Sequence, residues 1–345
     1  MSVPMPTNLP PLASLCARVD RFARARIVVW GDVVADRFLY GSTTRISREA
    51  PALVVRREGE ETRPGGAGNA MMNAAALGAR VSAAGFVGAD ATAAELRATL
   101  AANGIETGYL LEREDAPTPR KTRIMAGGLH TIRQQILRID DDPPWPAAAA
   151  SERLRDALLA SLEGADALLV SDYGMGSVPP ALLAEIIQEA RRRGTVVVAD
   201  SRKALLSYAG VNVVTPNEEE VEAALQIDPN GLGEQLGEAG ARLLEALSCD
   251  AVLITRGSRG MALFEAGGNS VQLAIHGTDE IADVTGAGDA VIATLTTALV
   301  VGATMLEAAR LANVAAGLAV MKRGTATVPA EELRAALEQG ADAAR

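Results

Sequence analysis

The chain has 345 residues, enough for one large α/β domain or two smaller ones. Its formal net charge of −10 and its aromatic content of 3% argue against a nucleic-acid partner, which would need basic patches or stacking rings. Two histidines and two widely separated cysteines argue against a zinc site or a Ser-His-Asp triad and indicate reduced thiols in a cytosolic protein.

The beginning of the chain has no signal-peptide pattern. No apolar run in the sequence is as long as a membrane-spanning helix requires. We therefore expect a cytoplasmic protein with no membrane partner.

The first predicted strand, residues 27–31, is a short apolar run that ends in glycine. Asp32 and Asp36 follow it, at the strand end where open α/β sheets bind ligands. Both are therefore candidate substrate-binding residues. The alternative for Asp32 is a turn cap, but no N-cap pattern follows it and a second aspartate does.

Two segments, residues 38–58 and 118–140, lack the helical periodicity of their surroundings and predict short strands that stand apart from the main sheet. We pair them as a small β lid. A basic cluster in an acidic chain favours a surface that faces an anionic substrate, and a solvated strand face is the alternative. This cluster, in the second segment, consists of Lys121, Arg123, Arg133 and Arg138, and the first segment contains Arg45, Arg48, Arg56 and Arg57.

A glycine turn, Gly65-Gly66-Ala67-Gly68-Asn69, separates these segments and leads into a helix predicted over residues 70–77. The side chain of Asn69 can both donate and accept hydrogen bonds. The turn does not match the dinucleotide-binding fingerprint.

The remaining pattern alternates strands with helices. This alternation predicts an α/β fold, with a mostly parallel central sheet, helices on both faces and right-handed crossovers. The strands are expected at residues 81–87, 108–112, 167–171, 195–199, 211–214, 251–255 and 261–265, and the helices at 91–103, 148–162, 180–193 and 305–321.

Polar residues follow several of these strands. Asp200 ends one strand, and Asn217 and Glu220 open the helix after the next. The acidic run suits a helix N-terminus, and Asn217 and Glu220 are also candidates to organise Mg²⁺ through its waters.

Two glycine-containing segments are candidates for nucleotide contact. Thr255-Arg256-Gly257 and Gly260 form either a plain hairpin turn or a loop whose backbone contacts phosphates. In the last long apolar helix, Gly317 follows Asn313 by one turn. A helical glycine costs about 1 kcal/mol against alanine, so we expect Gly317 to admit a neighbouring helix or an adenine ring.

The stretch Asp283-Val284-Thr285-Gly286-Ala287-Gly288-Asp289 precedes a long apolar helix. Small residues allow a tight turn, and the first N–H groups of a helix can face an anion. Asp289 stands in that first turn, where a carboxylate could accept a hydroxyl proton during phosphoryl transfer. The alternative is an ordinary glycine turn with an acidic helix start.

Together, the turn at 65–69 and the stretch at 283–289 resemble the two signatures of the ribokinase-like (PfkB) sugar kinases. Thr215-Pro216-Asn217 with Glu220, and Thr255 to Gly260, resemble that family's magnesium and nucleotide segments. The resemblance covers about residues 26–328. It implies a kinase domain over 26–330, with lid segments at about 37–62 and 118–140, preceded by an extension and first helix (1–25) and followed by a C-terminal helix (331–345).

A narrower resemblance is to the D-glycero-β-D-manno-heptose-7-phosphate kinases. It rests on residues 31–37, 45–51, 133–140 and Ser171-Asp172-Tyr173. This kinase is often fused to a nucleotidyltransferase carrying His-x-Gly-His. Because the sequence lacks that motif, it is most similar to the stand-alone form, on the route to ADP-heptose for the lipopolysaccharide inner core. Ser201 after Asp200, Ala290 after Asp289 and an insertion at residues 127–131 depart from the family pattern.

The resemblance implies a role for each candidate residue. Asp289 would remove the proton of the sugar 1-hydroxyl, and the N–H groups of Gly286, Ala287 and Gly288 would stabilise the transferred charge. The cofactors would be ATP and Mg²⁺, with a monovalent cation as a further candidate. The sugar would contact Asp32, Asp36, Gly65, Gly66 and Asn69, and its phosphate the lid residues Lys121 and Arg123, with Arg45, Arg48 and Arg133 as further candidates. The nucleotide set is Asp200, Asn217, Glu220, Thr255, Arg256, Gly257, Gly260, Asn313 and Gly317.

Three alternatives stay open: another family member that acts on a different sugar phosphate or a nucleoside, a sugar-binding regulator on a kinase fold, and a dinucleotide oxidoreductase. Asp289 and its glycine turn argue against the regulator, and the missing fingerprint argues against the oxidoreductase. Apolar strands in the lid have little core of their own, so we also expect a homodimer formed through the lids.

Overall fold

Thirteen strands are found in residues 9, 11–127, 133–229, 231–277, 283–322 and 324–342, which are the residues that this computed structural model describes. Most strands follow short apolar runs. They are β1 (Arg26–Gly31), β2 (Val33–Ile46), β3 (Leu53–Gly66), β4 (Arg80–Gly88), β5 (Glu106–Arg113), β6 (Arg120–Gly127), β7 (Gln134–Asp141), β8 (Ala167–Asp172), β9 (Val196–Ser201), β10 (Val213–Val214), β11 (Ala251–Thr255), β12 (Met261–Glu265) and β13 (Ser270–Leu273).

Helices connect most strands of the main sheet. They are α1 (Cys16–Val19), α2 (Ala67–Ala76), α3 (Ala91–Ala102), α4 (Ala148–Ser161), α5 (Pro180–Arg192), α6 (Glu218–Leu225), α7 (Leu232–Leu247), α8 (Ala287–Val300), α9 (Met305–Val320) and α10 (Ala330–Asp342). Helix α2 begins three residues earlier than predicted, so Asn69 lies within its first turn. Within the described ranges, none of the helices is both long and apolar enough to cross a membrane.

The main sheet has the strand order β13-β12-β11-β10-β9-β8-β1-β4-β5 in the described part of the chain. Strands β5 to β11 in this order pair in parallel, and β12 and β13 add an antiparallel edge. The predicted mostly parallel sheet is confirmed.

Strand β1 shows why the sheet is covered on both faces. Its side chains alternate between two cores: Ile27 and Val29 pack on one face, and Val28 and Trp30 on the other. Successive residues of a strand point to opposite faces, so a continuous apolar run requires helices on both sides. Helices α2, α8 and α9 contribute to the first core, and α4, α5 and α7 to the second.

The two ends of the chain meet in the first core. Leu15 and Val19 near the start are buried with Leu333 and Leu337 of α10. The segments predicted as an N-terminal extension and a C-terminal helix therefore pack together against the main sheet.

The lid is a separate four-stranded sheet with the order β3-β2-β6-β7. Its first two strands were expected to be short and to start near residue 37. They are 14 residues each, and β2 begins directly after Asp32. Long strands form here because β2 pairs with both β3 and β6 along most of its length. Of the predicted insertion at residues 127–131, Gly127 ends β6 and the others lie outside the described residues.

Candidate active site

The start of α8 combines a glycine turn with open space. Gly286 precedes the helix with a φ of 83°, and a Cβ there would lie 2.5 Å from Asn69 Nδ2, so this position requires glycine. A Cβ on Gly288 would meet no atom within 4 Å. The Ala287 N–H donates a long bond of 3.3 Å to Val284 O. The exposed turn at Gly288 thus leaves room for an anion at the helix N-terminus.

Asp289 lies in the first turn of α8, as predicted, and only 4% of it is exposed. Asn69 Nδ2 donates to its Oδ2 at 2.7 Å, and the Tyr173 hydroxyl donates to its Oδ1 at 2.9 Å. Burial raises the pKa of Asp289 to about 6, against the lowering effect of these two hydrogen bonds and of Arg202. A carboxylate with a pKa near neutrality suits a general base, since it is largely ionised at pH 7 and still attracts a proton.

Asp36 lies on the face of the lid that carries Lys121 and Arg123, which we call the inner face. Its Oδ1 accepts a hydrogen bond of 2.5 Å from Arg123 Nη1, and both side chains are largely buried. A Cβ on Gly65 would lie 2.4 Å from Asp36 Oδ2. The charge of Asp36 is also among those that raise the pKa of Asp289, so the two carboxylates lie near enough to interact.

Asp32 has a different environment from the one expected. It is fully buried, and its carboxylate accepts hydrogen bonds from the backbone N–H groups of Tyr173, Met175 and Ser177 at 2.8–3.0 Å. The turn-cap alternative therefore describes Asp32 better than a sugar contact. Gly66, at a φ of 58°, allows close approach to this region, since a Cβ there would lie 2.5 Å from Asp32 O.

Two carboxylates, Asp200 and Glu220, lie on the side of the cleft nearer α6. Burial raises the pKa of both, and the charges of Glu220 and Asp289 add to the rise for Asp200. Asn217 and Glu220 form a capping box at the start of α6, so the helix-start interpretation holds for them. A half-buried acidic pair also fits Mg²⁺, which takes one or two carboxylates together with water and phosphate oxygens.

The segment from Thr255 to Gly260 is a hairpin between β11 and β12. Arg256 is buried in it and donates to Glu218 Oε1 at 3.0 Å and Gln272 Oε1 at 2.8 Å. Its charge is therefore paired within the protein and stabilises the hairpin. Gly260 has a φ of 78°, and a Cβ there would lie 2.0 Å from Leu273 O. Gly257 is open, because no atom lies within 4 Å of its Cβ position.

Helix α9 contacts the segment that follows β13. Asn313 Nδ2 donates to Ala274 O at 2.7 Å, and a Cβ on Gly317 would lie 2.2 Å from His276 O. Gly317 thus admits a backbone segment of this chain, where a neighbouring helix or an adenine ring was expected, and its contact with the nucleotide stays a prediction.

The structure separates these candidate lid cations into three groups. Lys121 and Arg123 lie on the inner face with Asp36. Arg45 is nine residues beyond Asp36 on β2, roughly 30 Å along the strand, and Arg48 is exposed beyond its end. Arg133 is paired with Glu58 at 2.5 Å. Arg45 and Arg48 are therefore not brought to the Asp289 site of the same chain.

Lys121 differs from its neighbours in having no ion pair or hydrogen bond from its ammonium to any residue of the described ranges. Burial, together with Arg202 and Arg138, lowers its pKa. Asp140, directly opposite on β7, acts against this lowering. A half-buried cation on the inner face fits an anionic group of a ligand.

Sequence reasoning missed two residues of this cleft. Tyr173, which binds Asp289, was noted only as part of a motif. Arg202 lies over the Tyr173 ring, with its Cζ 4.2 Å from the ring centroid. The available signal was position, because both residues follow the carboxyl ends of neighbouring strands, β8 and β9.

The sequence matches a protein-family profile and several named relatives. The profile of the family described as pfkB family carbohydrate kinase matches residues 24–333. Proteins named Bifunctional protein HldE are similar: that of Citrifermentans bemidjiense is 41% identical over 93% of this chain and 65% of its own length. That of Geobacter sulfurreducens is 44% identical over 88% of this chain and 61% of its own. The chain spans less than two thirds of these relatives.

Solved structures show the same fold at low sequence identity. The Arabidopsis thaliana ribokinase complexed with ribose and ATP superposes with a TM-score of 0.72 at 20% identity, covering 91% of this chain and 99% of that one. Phosphofructokinase-2 from Escherichia coli in complex with potassium superposes with a TM-score of 0.76 at 18% identity, covering 92% of this chain and 99% of that one. The ribokinase-like fold is confirmed. With the family profile covering most of its length, the chain belongs to the pfkB family of carbohydrate kinases, enzymes that phosphorylate a sugar hydroxyl.

Proposed function

We propose that the protein transfers the γ-phosphate of ATP to the 1-hydroxyl of D-glycero-β-D-manno-heptose 7-phosphate, giving the 1,7-bisphosphate and ADP. The observation that carries the chemistry is the buried Asp289 in the first turn of α8, fixed by Asn69 and Tyr173. The heptose assignment is supported by the motifs around Asp36 and Tyr173 and by the similarity to relatives named HldE. The product would serve the route to ADP-heptose for lipopolysaccharide.

The reaction needs one proton transfer and one displacement. As the sugar oxygen attacks the γ-phosphorus, its proton passes to a free lone pair of the Asp289 carboxylate. The bond between the γ-phosphorus and the β,γ-bridging oxygen breaks, and ADP leaves. The N–H groups of Gly286, directly before α8, and of Gly288, in its first turn, would face the transferred oxygens. Stabilisation of the charge on those oxygens contributes most of the rate enhancement.

Substrate binding would use both sides of the cleft. Asp36 would accept hydrogen bonds from sugar hydroxyls, and Lys121 with Arg123 would neutralise the 7-phosphate. The open Gly257 turn would face the nucleotide phosphates, and Mg²⁺ would be held through water by Asn217 and Glu220, where it supplies positive charge to those phosphates. A closing lid would exclude water and limit ATP hydrolysis.

The outer face of the lid supports the proposed homodimer. Leu39, Ile124 and Leu137 lie directly opposite one another on the three neighbouring strands, on the face away from Asp36. Leu137 is 53% exposed and Ile139, on the same face, 47% exposed. An exposed apolar sheet face favours association. Stand-alone character, cytoplasmic location and a monovalent-cation requirement remain predictions.

The test is ATP consumption with Mg²⁺ on heptose 7-phosphate, ribose, fructose 6-phosphate and adenosine, with Asp289→Asn as the control. Turnover on the heptose phosphate alone, abolished in the variant, is the expected result. Turnover on another substrate would reassign the protein to the alternative, a different sugar-phosphate or nucleoside kinase of the family. Binding of the heptose phosphate without turnover would support a non-catalytic regulator.

A further inference from the structure

The hydroxyl of Tyr173 is one of two donors to the catalytic carboxylate. It donates to Asp289 Oδ1 at 2.9 Å, while Asn69 holds Oδ2. Each carboxylate oxygen can accept two bonds, so one lone pair on each remains for a substrate. Rotation of the carboxylate about its Cβ–Cγ bond would break both contacts. The two donors together therefore define the plane in which Asp289 meets a proton.

The segment that carries Tyr173 is anchored to the centre of the main sheet. Asp32, directly after β1, accepts hydrogen bonds from three N–H groups of residues 173–177. Trp30 Nε1 donates to Ser177 O, and the Ser177 hydroxyl accepts from Phe86 N at 3.1 Å. Because this turn is hydrogen-bonded to two central strands, β1 and β4, the backbone of Tyr173 has a fixed position.

Arg202 fixes the ring of Tyr173 from the other side. Its guanidinium carbon lies 4.2 Å from the ring centroid, a cation–π contact. Its backbone N–H donates to Asp172 O at 3.1 Å, which links the ends of β8 and β9. The Arg202 charge also lowers the pKa of Asp289, Asp200 and Glu220. The residue thus combines orientation of Tyr173 with partial neutralisation of the acidic cleft.

We propose that Tyr173, held between the Asp32-anchored turn and Arg202, is a positioning residue that orients the Asp289 carboxylate for proton abstraction. This inference rests on the proposed function, in which Asp289 is the base. It also assigns a role to Asp32. The Asp32 carboxylate does not reach the cleft, but it stabilises the turn at residues 173–177 from which Tyr173 does.

The electrostatic consequence has a definite sign. The groups that act on Asp289 are Tyr173 and Arg202 on the strand-end side, Asp36 on the lid, Asp200 at the end of β9, and the neutral Asn69 of α2. The Tyr173 hydrogen bond favours the ionised carboxylate and so lowers its pKa. Removing that bond should raise the pKa, and the base should then become protonated at a higher pH.

The test compares Tyr173→Phe with Tyr208→Phe. Phenylalanine at 173 keeps the ring beneath Arg202 and loses only the hydroxyl. Tyr208→Phe is a matched control, because its hydroxyl donates to a buried carboxylate at 2.7 Å, but that carboxylate is Asp172. Asp289 is titrated directly by infrared spectroscopy of protein labelled with ¹³C-aspartate, with the Asp289→Asn spectrum subtracted to assign its band. The pH profile of kcat on the heptose phosphate is the second readout.

We expect Tyr173→Phe to raise the pKa of Asp289 by roughly one to two units and to move the midpoint of the acidic limb of the kcat profile up by the same amount. This shift corresponds to the free energy of one hydrogen bond to a charged group. At neutral pH kcat should fall about tenfold or more with little change in KM, because the lost contact aligns the base. Tyr208→Phe should leave the Asp289 titration in place.

An unchanged titration and pH profile in Tyr173→Phe, with any loss of rate matched by a loss of thermal stability, would overturn the inference. A faster Tyr173→Phe enzyme would also overturn it, since the hydroxyl would then block the base. If wild-type protein turns over no sugar, the proposed function fails, but the infrared titration still decides whether Tyr173 controls Asp289.

Discussion

Replacing Gly65 with alanine should weaken sugar binding through Asp36 while leaving the fold intact. The new Cβ would lie 2.4 Å from Asp36 Oδ2 and 2.6 Å from its Cγ. Nonbonded carbon and oxygen atoms settle near 3.5 Å, so the carboxylate must move by about 1 Å. It cannot move freely, because Arg123 holds its other oxygen and both side chains are largely buried.

A displacement of about 1 Å at a substrate-positioning group costs up to roughly 100-fold, so we expect kcat/KM for the sugar phosphate to fall 10- to 100-fold. The KM for ATP should stay within about twofold, since Gly65 lies on the lid side of the cleft. Gly59→Ala is the matched control. It lies on the same strand, β3, and its Cβ would meet no atom within 4 Å.

The assay is steady-state kinetics with each substrate varied in turn, alongside calorimetric titration of the sugar phosphate and a thermal melt. If Gly65→Ala binds the sugar phosphate as tightly as Gly59→Ala and wild type, Asp36 does not hold the sugar. If both variants have a lower melting temperature than wild type and lose ATP affinity equally, the loss of activity comes from a destabilised lid and not from the position of Asp36.

Three further predictions concern pH, metal and assembly. Asp289 must be ionised to accept a proton, so kcat/KM should fall as the pH drops through about 6, a limb absent from the profile if another group is the base. Glu220→Gln should raise the Mg²⁺ concentration needed for half-maximal rate about tenfold or more, and an unchanged requirement would remove Glu220 from the metal site. Leu137→Glu with Ile139→Glu should convert a dimer into monomers in sedimentation at micromolar concentration, whereas a wild-type monomer would contradict the lid interface.

The main sheet and the position of Asp289 could be predicted because both depend on local patterns. The run at residues 27–31 is apolar at every position but its terminal glycine, which requires cover on both faces of the sheet. Asp289 follows two glycines and stands in the first turn of a long apolar helix, and an acidic residue between a glycine turn and an apolar run is typical of a helix N-terminus.

The environments of Asp32 and Arg256 could not be predicted because they depend on partners distant in sequence. Asp32 binds N–H groups about 140 residues away. Arg256 is neutralised by Glu218, from a helix that precedes it by a whole strand-helix unit. A charged residue near a glycine turn has the same sequence pattern whether it faces phosphate or a buried carboxylate. Tyr173 was missed because an aromatic residue after a strand has the same sequence pattern whether it packs in a core or donates a hydrogen bond to a catalytic carboxylate.

The passage from β3 into α2 contains no loop. Gly66 is the last residue of the lid strand, Ala67 is the first of the helix, and Asn69 stands in that helix's opening turn. Gly66 holds a φ of 58° with ψ of −134°, a conformation that side chains other than glycine rarely adopt. Because no loop intervenes, a change in the direction of β3 at Gly66 would also displace the side-chain amide of Asn69, which donates to Asp289. The strand that places Gly65 beside Asp36 and the helix whose Asn69 donates to Asp289 are therefore one uninterrupted stretch of regular structure.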